Sequence, residues 1–276
     1  MHKGESRTIV VKYGGNAMTD ESLKLQVIKN ICLMQQKGCQ VVVIHGGGPF
    51  IKAALAEANI NSEFIDGHRK TSPEAFRYVE RELKGNVNSN IVGIINKLGY
   101  MAVGLSGKDG KLVTAVKRQH RKVVNGQEEI IDLGQVGDVV RVDTRLLGFL
   151  LDQNYIPVLT CIAQDNEGWE YNINADMFAG HVAGALQAEE YIVLTDVDGL
   201  LADKDDPQSL LNEVNIAETG KLIDNKTILG GMLPKIESCI IALEKGAKAA
   251  RILNGTKPEQ LVGVMNGQKT GTIIKK

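Results

Sequence analysis

Two short apolar strands that each end in glycines, with a helical pattern between them, constrain the fold of this chain most. The first runs from Ile9 into Lys12-Tyr13-Gly14-Gly15, and the second runs from Val41 into His45-Gly46-Gly47-Gly48-Pro49. From Ser22 to Gln36, apolar residues recur at helical spacing. This β-α-β order predicts a parallel sheet with right-handed crossovers. Both glycine loops should then open at one edge of the sheet, where loop amides and helix N-termini favour negative charge.

The middle of the chain predicts further helices and an antiparallel hairpin. Ser72-Pro73 is an N-cap and first-turn pair, and the helix it begins is predicted to break near Gly85-Asn86. Alternating apolar residues in Lys111–Val116 and Ile130–Val136 predict two paired strands added to the main sheet. The basic run Lys117–Lys122 is interpreted as their solvated connection, with no role in binding nucleic acid. The polar segment at residues 204–207 is predicted to be a surface turn.

Composition excludes several classes of protein. The chain is 43% hydrophobic and 24% charged, as is ordinary for a globular protein. With 32 basic and 33 acidic residues, it has a net charge of −1 and no electrostatic reason to bind nucleic acid or an anionic membrane. No apolar run approaches the roughly 20 residues that span a bilayer, and Met1–Arg7 contains no apolar signal segment. We therefore expect a cytoplasmic protein.

The cysteines do not indicate a metal or disulfide site. Cys32, Cys39, Cys161 and Cys239 form no Cys-x-x-Cys pair. Cys32 and Cys39 lie in an apolar region that passes from helix to strand, which is typical of reduced thiols in a core. We expect all four to be free.

Arg69 lies in a polar loop, Asn61–Thr71, which Ser72-Pro73 closes at a predicted helix N-terminus. A single arginine in such a loop can be a solvated surface charge. Its place in front of a helix also suits a guanidinium that grips a carboxylate with two parallel hydrogen bonds. We favour the second interpretation.

Three polar residues, Asn172, Asn174 and Asp176, alternate with apolar residues ahead of another helix. If the segment is extended, this alternation points all three side chains the same way. Helix capping accounts for one of them, so three favour a binding site. His181, within the helix, is interpreted as a core or interface histidine and not a catalytic one.

Two later segments carry charged residues next to glycines. Thr195, Asp196 and Asp198 follow an apolar strand, where paired aspartates could bind Mg²⁺ or a ribose or could belong to an Asp-Gly turn. Both interpretations stay open. Gly230–Lys235 repeats the opening pattern, with glycines followed by a proline and a lysine at a helix start. Lys235 could therefore face a phosphate as Lys12 does.

With these segments in their order, the chain resembles the amino acid kinase family over nearly its whole length. The lysine-glycine and aspartate-strand motifs are shared across the family, whereas Gly67-His68-Arg69 and Asn172–Asp176 resemble the members that act on N-acetyl-L-glutamate. The resemblance implies an α/β fold, a three-layer αβα sandwich with an open, mostly parallel sheet of the carbamate kinase type. It implies one domain, with an N-terminal lobe of about residues 1–173 for the acyl amino acid and dimer contacts, and a C-terminal lobe of about 174–276 for ATP.

The resemblance also implies the reaction, which is transfer of the ATP γ-phosphoryl group to the side-chain carboxylate of N-acetyl-L-glutamate. Mg²⁺ would be carried mainly by the nucleotide, with no metal site of the protein's own. Because a carboxylate acceptor is already ionised at pH 7, no general base is needed. The implied catalytic residues are Lys12 and Lys235, on opposite sides of the transferring group, and Asp176, which orients them. The implied substrate-binding residues are Gly47, Gly48, Arg69, Asn172 and Asn174, and the implied phosphate- and nucleotide-binding residues are Gly14, Gly15, Thr195, Asp196, Asp198, Gly231 and Met232.

The assembly and its regulation are also expectations from the resemblance. Arginine-inhibited relatives carry an extra N-terminal helix, whereas here the first strand begins almost at once. Their effector loop also has a histidine and a glutamate that Leu261–Gln268 lacks. We expect a homodimer that arginine does not inhibit.

Two other functions stay open at this point. A kinase of the same fold could phosphorylate a carrier-protein-bound α-aminoadipate in lysine synthesis, and the basic run Lys117–Lys122 is then the candidate surface for an acidic carrier. A non-catalytic sensor of amino acids or nucleotides would be expected to lose a charged position, yet Lys12, Asp176 and Lys235 are all present. A dinucleotide dehydrogenase is disfavoured because neither glycine loop spells Gly-x-Gly-x-x-Gly.

Overall fold

The computed structural model describes residues 7–124, 127–203, 206 and 208–276. The strands are β1 (Thr8–Tyr13), β2 (Gln40–His45), β3 (Phe64–Ile65), β4 (His68–Arg69), β5 (Ala102–Ser106), β6 (Val113–Lys117), β7 (His120–Val124), β8 (Gln127–Ile131), β9 (Val136–Val142), β10 (Ile156–Thr160), β11 (Ile162–Gln164), β12 (Glu170–Ile173), β13 (Glu190–Thr195), β14 (Leu200–Leu201), β15 (Leu210–Leu211), β16 (Glu213–Asn215), β17 (Ala250–Asn254) and β18 (Thr272–Lys275). The α-helices are α1 (Glu21–Gln36), α2 (Gly48–Glu57), α3 (Pro73–Glu80), α4 (Ser89–Lys97), α5 (Arg145–Asp152), α6 (Ala175–Ala185), α7 (Ile216–Asp224), α8 (Leu233–Glu244) and α9 (Glu259–Met265).

The main sheet has the strand order β16-β18-β17-β13-β1-β2-β10-β5. Every pair from β17 to β5 is parallel, whereas β18 is antiparallel to β17, and β16 runs parallel to β18. The predicted open, mostly parallel sheet is therefore confirmed. Its order also places the strands from the first part of the chain in one half and the later strands in the other.

Helices cover both faces of this sheet. Alternate residues of β1 point to opposite sides, so that Val10 belongs to one apolar core and Ile9 and Val11 belong to the other. One core packs the sheet against α1, α4 and α9, and the other packs it against α2, α3, α5, α6, α7 and α8. Strands that are buried on both faces consist of continuous runs of β-branched residues, as β1 and β2 largely do. The three-layer αβα sandwich is confirmed.

The predicted helix break near Gly85-Asn86 is wrong. Helical structure is continuous from Pro73 to Lys97, and the segment between α3 and α4, Arg81–Asn88, is a π-helix. Leu83 and Val87 in this segment are buried in the two cores. Their packing offsets the roughly 1 kcal/mol that a helical glycine costs.

The predicted pairing of Lys111–Val116 with Ile130–Val136 is also wrong. Strand β6 pairs with β9, whereas β7 and β8 form a separate hairpin. Strands β6 and β9 close a small barrel with β11 and β12. The alternation of apolar residues located the strands approximately. It did not indicate that another hairpin lies between β6 and β9.

The basic run Lys117–Lys122 is largely exposed to solvent, as predicted, but most of it belongs to strands and not to a connection. Its first residue ends β6 and its last three begin β7. Its basic side chains are paired with acidic ones: Lys117 with Asp132 (2.9 Å), Arg118 with Asp138 (2.5 Å), His120 with Asp66 (2.9 Å), Arg121 with Glu128 (3.1 Å) and Lys122 with Asp66 (3.1 Å). The run is part of the folded surface, and these acids neutralise much of its charge.

Other local predictions have definite outcomes. Ser72 caps α3 by accepting a hydrogen bond from the Ala75 amide at 3.1 Å, as predicted. The four cysteines are free thiols. The surface turn predicted at residues 204–207 and the segment Met1–Ser6 fall largely or wholly outside the described residues. Among the helices of the described ranges, none is long and apolar enough to cross a membrane.

Candidate active site

The two glycine loops meet at the carboxyl ends of β1 and β2, as the sequence predicted. The two strands pair in parallel up to Tyr13 and His45. The Gly46 amide then donates to the Tyr13 carbonyl oxygen at 3.1 Å, which joins the loop after β2 to the end of β1. Lys12, one residue before the end of β1, therefore lies beside both loops.

Lys12, Asp176 and Lys235 form a buried ionic cluster at this edge. The Lys12 Nζ lies 2.8 Å from Asp176 Oδ1, and the Lys235 Nζ lies 3.4 Å from Asp176 Oδ2. The side chains are 8%, 8% and 18% exposed for Lys12, Asp176 and Lys235. The three residues come from positions far apart in the sequence, and the fold brings them together.

Close packing of α6 on α8 sets the geometry of this cluster. Asp176 lies in the first turn of α6 and Lys235 in the first turn of α8. A Cβ atom at Gly180 would lie 2.4 Å from the Ser238 carbonyl oxygen, so only glycine lets the two backbones approach this closely. The small residues of α6 thus hold the two charged side chains at contact distance.

Asp176 is ionised in this environment. Burial alone would raise its pKa, but the adjacent charges of Lys12 and Lys235 more than offset burial and hold the pKa of the carboxyl below its usual range. Two lysines on one carboxylate leave a net positive charge in a site largely shielded from water. Such a preorganised cation pair favours a reaction in which negative charge has to be stabilised.

Glycines leave open space next to this charge. A Cβ atom at Gly14 would lie 3.0 Å from the Lys12 Nζ, and a Cβ atom at Gly15 would lie 3.0 Å from Asp196 Oδ1. Gly15 also has a φ of +73°, a conformation that side chains with a Cβ rarely adopt. The chain can therefore place backbone amides beside Lys12 without side-chain obstruction.

A cavity of about 350 Å³ lies over the cluster, within the size range of small-molecule sites. Helix α2 begins at its wall with Gly48-Pro49, where the first helical amides have no partner within the helix and suit an anion. Predicted residues that line the cavity are Lys12, Gly14, Gly15, Gly47, Gly48, Arg69, Asn172, Asn174 and Asp176.

Arg69 lies in the wall of this cavity and not in solvent. The residue is buried, and its guanidinium lies 4.5 Å from the centre of the Phe64 ring. It donates from Nη1 to the Ser62 hydroxyl and from Nη2 to the Gly48 carbonyl oxygen at 3.3 Å. Burial lowers the pKa of the guanidinium. The site thus contains a third cation, in addition to the two lysines.

Asn172 and Asn174 line the cavity, but the backbone that positions them differs from the predicted extended segment. The segment is extended only to Ile173, where β12 ends, and Asn174 is the N-cap of α6. Asn174 Oδ1 accepts from the amides of Asp176 (2.8 Å) and Met177 (3.3 Å), while Asn172 Nδ2 donates to the Thr71 hydroxyl at 3.4 Å. The expected alternation of side chains does not extend to Asp176. Asp176 lies in the helix, so the helical geometry sets the direction of its side chain.

A second cavity, of about 650 Å³, adjoins the first and shares Gly67, His68 and Asn174 with it. Gly231 lines this second cavity, and its carbonyl oxygen accepts from the Lys235 Nζ at 3.3 Å. Met232 follows in the same 3-10 turn and packs against the apolar core. The loop before α8 therefore lines the larger cavity and also contacts Lys235.

The aspartates after β13 have different surroundings. Thr195 is buried at the carboxyl end of the strand, and Asp196 lies next to Gly15. Asp198 accepts from the Lys257 Nζ (2.6 Å) and from the side-chain amide of Asn254 (2.9 Å), and the Lys257 contact contributes most to its lowered pKa. Thr195, Asp196 and Asp198 line neither of these two cavities, and their role in binding nucleotide stays a prediction.

Two histidines differ in their relation to the site. His181 is half-buried in α6, and burial lowers its pKa to about 4, which suits the predicted packing role. His45 is fully buried directly before Gly46. The sequence placed it in a glycine motif but gave it no role, because its polar partner is 43 positions away. Within the ranges described above, no group of three or more His, Cys, Asp or Glu side chains is placed to hold a metal ion.

Comparison with known proteins identifies close relatives. The sequence profile of the amino acid kinase family matches residues 7–254. The chain is 43% identical over 273 residues to an acetylglutamate kinase of Pelotomaculum thermopropionicum, covering 98% of this chain and 92% of that protein. It is 45% identical over 279 residues to an acetylglutamate kinase of Afipia carboxidovorans, with coverage of 100% and 94%. The fold matches a carbamate kinase of Giardia lamblia bound to AMP-PNP, with a TM-score of 0.70, 18% identity and coverage of 99% of each chain.

Proposed function

Because this chain belongs to the amino acid kinase family, we propose that it is an ATP-dependent kinase of the side-chain carboxylate of N-acetyl-L-glutamate, in arginine biosynthesis. The observation that carries the proposal is the buried Lys12–Asp176–Lys235 cluster beneath a cavity with Arg69 in its wall. The relatives at 43% and 45% identity are acetylglutamate kinases over nearly their full length, which supports this substrate.

The reaction joins a carboxylate oxygen of the substrate to the γ-phosphorus of ATP. The bond between the γ-phosphorus and the β–γ bridging oxygen breaks, and ADP leaves with the electron pair. The product is N-acetyl-L-glutamyl 5-phosphate, an acyl phosphate. No proton has to be removed from the ionised acceptor, so catalysis depends on positioning and on stabilisation of charge.

Lys12 and Lys235 supply that charge stabilisation. Each ammonium group can interact with oxygens of the transferring phosphoryl group, because Asp176 holds the two groups 2.8 and 3.4 Å from its carboxylate oxygens. Asp176 has no acid–base role in this scheme, since the lysines keep it ionised. It acts as the fixed anion that sets the position of both cations.

Arg69 and the two asparagines hold the acceptor in the first cavity. The guanidinium is a planar donor suited to the substrate α-carboxylate. The side-chain amides of Asn172 and Asn174 line the same cavity and suit the acetylamino group. Gly47 and Gly48 would donate backbone amides to the substrate side.

ATP, with Mg²⁺ carried mainly by its phosphates, supplies the phosphoryl group when bound. The residues present suit its phosphates, because Gly14 and Gly15 leave backbone amides unobstructed beside Lys12. Thr195, Asp196 and Asp198, together with Gly231 and Met232, are proposed to bind the nucleotide. Of these residues, Gly231 lines the 650 Å³ cavity, whose other wall includes His68 and His120, so this space lies between the two parts of the chain.

The order of the strands in the main sheet supports two lobes within one domain. Strands β1, β2, β10 and β5 form one half of the sheet and β13, β17, β18 and β16 form the other. We propose that about residues 1–173 bind the acyl amino acid and that about 174–276 bind ATP. The transfer would then occur at the boundary between β1 and β13.

The rival function with a carrier-bound α-aminoadipate loses its main support. Acids of the same chain lie beside the basic side chains of the run from Lys117 to Lys122, so this surface has little net positive charge to attract an acidic carrier protein. The charged cluster is also complete, which disfavours a sensor that has lost catalysis.

We propose that the protein is a homodimer and that arginine does not inhibit it. Strand β5 lies at the edge of the main sheet, and an edge strand is a place where a second copy can pack. Light scattering coupled to size-exclusion chromatography would give the mass of a dimer, and a monomer would contradict the proposal. Sensitivity to micromolar arginine would contradict the second part.

A coupled assay of ADP release tests the substrate. Free N-acetyl-L-glutamate should support turnover, whereas free L-glutamate and L-aspartate should give little, because they lack the acetyl group that the asparagines would bind. Equal turnover with free glutamate would contradict the assigned substrate. Absence of turnover with N-acetyl-L-glutamate would contradict the proposed function.

A further inference from the structure

Asn88 and His45 link the π-helix to the glycine loop of the active site. Asn88 Nδ2 donates to the Val158 carbonyl oxygen at 2.9 Å and lies 3.0 Å from His45 Nε2. His45 Nδ1 in turn lies 2.8 Å from the Gly46 carbonyl oxygen. His45 is fully buried and Asn88 is 2% exposed, so water does not compete for these bonds.

The chemistry of the four groups fixes the direction of every hydrogen bond. The Val158 carbonyl can only accept, so the amide nitrogen of Asn88 must face it and direct its second hydrogen at His45 Nε2. Nε2 then has to accept, and the proton of the neutral imidazole has to lie on Nδ1. From there it donates to the Gly46 carbonyl. The backbone of β10 thus determines the tautomer of His45 and the orientation of the peptide group after Gly46.

The fold is built to allow this contact. Asn88 is the last residue of the π-helical segment Arg81–Asn88, and π-helical turns are often found at functional sites. Its side chain extends over β5 and β10, where Gly104 and Val158 are paired in register. A Cβ atom at Gly104 would lie 2.0 Å from Asn88 Oδ1, so no residue larger than glycine fits there.

We propose that Asn88 and His45 are positioning residues that hold Gly46 and thereby aim the backbone amides of Gly47 and Gly48 at the substrate. This inference rests on the proposed function, because those amides matter only if substrate binds in the first cavity. Neither side chain touches the reacting atoms. Each acts through the loop, whose displacement by about 1 Å can cost roughly 100-fold in rate.

The charges around His45 are few. Lys84, in the π-helical segment, is the charged residue whose field acts on its pKa, and Lys84 is itself paired with Asp109 at 3.3 Å. From the flanking strands, Tyr13 of β1 and Thr160 of β10 lie in register with His45. Burial, the largest effect, lowers the pKa of His45 to about 4. The imidazole is therefore neutral at the pH of the assays.

NMR of the unliganded protein tests the hydrogen-bond chain without reference to activity. Spectra that correlate the ring nitrogens with the ring carbon-bound protons distinguish a protonated Nδ1 from a protonated Nε2, and His45→Asn identifies the signals of His45. We expect Nδ1–H from pH 6 to pH 8 in the wild type. A protonated Nε2 would overturn the inference, whatever the substrate proves to be.

Kinetics of Asn88→Asp test the effect on the loop. The carboxylate cannot donate to the Val158 carbonyl, so that hydrogen bond is lost. Beside Nε2 it raises the pKa of His45, and the imidazolium still donates from Nδ1 to Gly46. When the imidazolium loses its proton, the remaining proton stays on Nε2 next to the carboxylate, and the bond to Gly46 is lost. We expect kcat for N-acetyl-L-glutamate to fall at least 10-fold as the pH rises across this pKa.

The matched control is Asn86→Asp, in the same π-helical segment, because Asn86 is exposed and the described hydrogen bond of its side chain is to Glu82. Its pH profile should have the wild-type shape. Asn88→Asp and wild-type profiles of the same shape would overturn the inference.

A further pair of variants separates a positioning role from a loss of activity caused by misfolding. His45→Asn keeps an amide donor near the position of Nδ1, whereas His45→Leu does not, so His45→Asn should retain at least 10-fold more kcat than His45→Leu. Equal loss in the two would contradict a positioning role. If the wild type does not use N-acetyl-L-glutamate at all, the proposed function fails while the NMR result still decides the hydrogen-bond chain.

Discussion

Lys12 and Asp176 form an ion pair of 2.8 Å in which both side chains are 8% exposed. Lys12 comes from the second-last position of β1 and Asp176 from the first turn of α6. The pair therefore couples the sheet edge to the helix layer that also carries Lys235. Because a buried carboxylate between two lysines leaves a net positive charge, this relationship underlies the proposed catalysis.

Replacing Lys12 or Lys235 should lower turnover far more than substrate affinity. Lys12→Ala and Lys235→Ala each remove a cation that contacts the phosphoryl group in the transition state, so kcat should fall roughly 10²–10³-fold. The KM for N-acetyl-L-glutamate should change little. Steady-state kinetics measure both, with Lys29→Ala on the exposed surface of α1 as the control. Near-normal kcat in either variant would remove that lysine from the mechanism.

Replacing Asp176 should weaken both the structure and catalysis. Asp176→Asn keeps the shape of the side chain but leaves two mostly buried lysines without their carboxylate. Breaking a buried ion pair in this way costs about 3–5 kcal/mol. We expect a lower midpoint in urea unfolding and a kcat reduced at least as far as in the single lysine variants. Wild-type stability in this variant would show that the cluster is not maintained by Asp176.

Replacing Arg69 by lysine should affect affinity more than turnover. Lysine keeps the charge but cannot offer two parallel donors to a carboxylate. A charged hydrogen bond contributes about 1.5–3 kcal/mol, which corresponds to roughly 10–100-fold in KM for N-acetyl-L-glutamate. The KM for ATP should be unchanged. If Arg69→Lys raises the ATP KM instead, Arg69 belongs to the nucleotide side.

The stability of the protein should fall as the pH drops from about 6.5 to about 4. His45 has a pKa of about 4 in the folded protein, lowered by burial from 6.5. Between these values the unfolded chain binds a proton that the folded chain does not, so acid favours unfolding. For this group the loss amounts to about 3 kcal/mol.

Urea unfolding at a series of pH values measures this dependence. His181 also has its pKa lowered to about 4 and contributes in the same direction. His45→Asn should therefore flatten the dependence without abolishing it. The same slope in His45→Asn and the wild type would mean that His45 is not kept neutral in the fold.

Local patterns predicted the fold well where neighbouring residues determine it. The β-branched runs of β1 and β2, the Ser72 cap of α3 and the glycines at the strand ends all follow from short-range chemistry. The strands at the carboxyl edge then necessarily bring Lys12 and the Gly46–Gly48 loop together. This part of the site could be predicted from the sequence alone.

The wrong predictions concern features that depend on packing against residues far away in the sequence. Gly85 suggests a helix end, but Leu83 and Val87 are buried and the segment stays helical, as a π-helix. The hairpin of β7 and β8 is anchored to Asp66, more than 50 positions away, through His120 and Lys122. No spacing rule links such residues, and the same holds for His45 and Asn88.

Trapping the acyl phosphate with hydroxylamine tests the central claim most directly. Incubation of the wild type with Mg²⁺-ATP and N-acetyl-L-glutamate should yield the corresponding hydroxamate, and omission of ATP or replacement of the substrate by free glutamate should yield little. Lys12→Ala should form it roughly 10²–10³-fold more slowly. Absence of hydroxamate in the wild type, or an equal yield from free glutamate, would contradict phosphorylation of the N-acetyl-L-glutamate side chain at the Lys12–Asp176–Lys235 cluster.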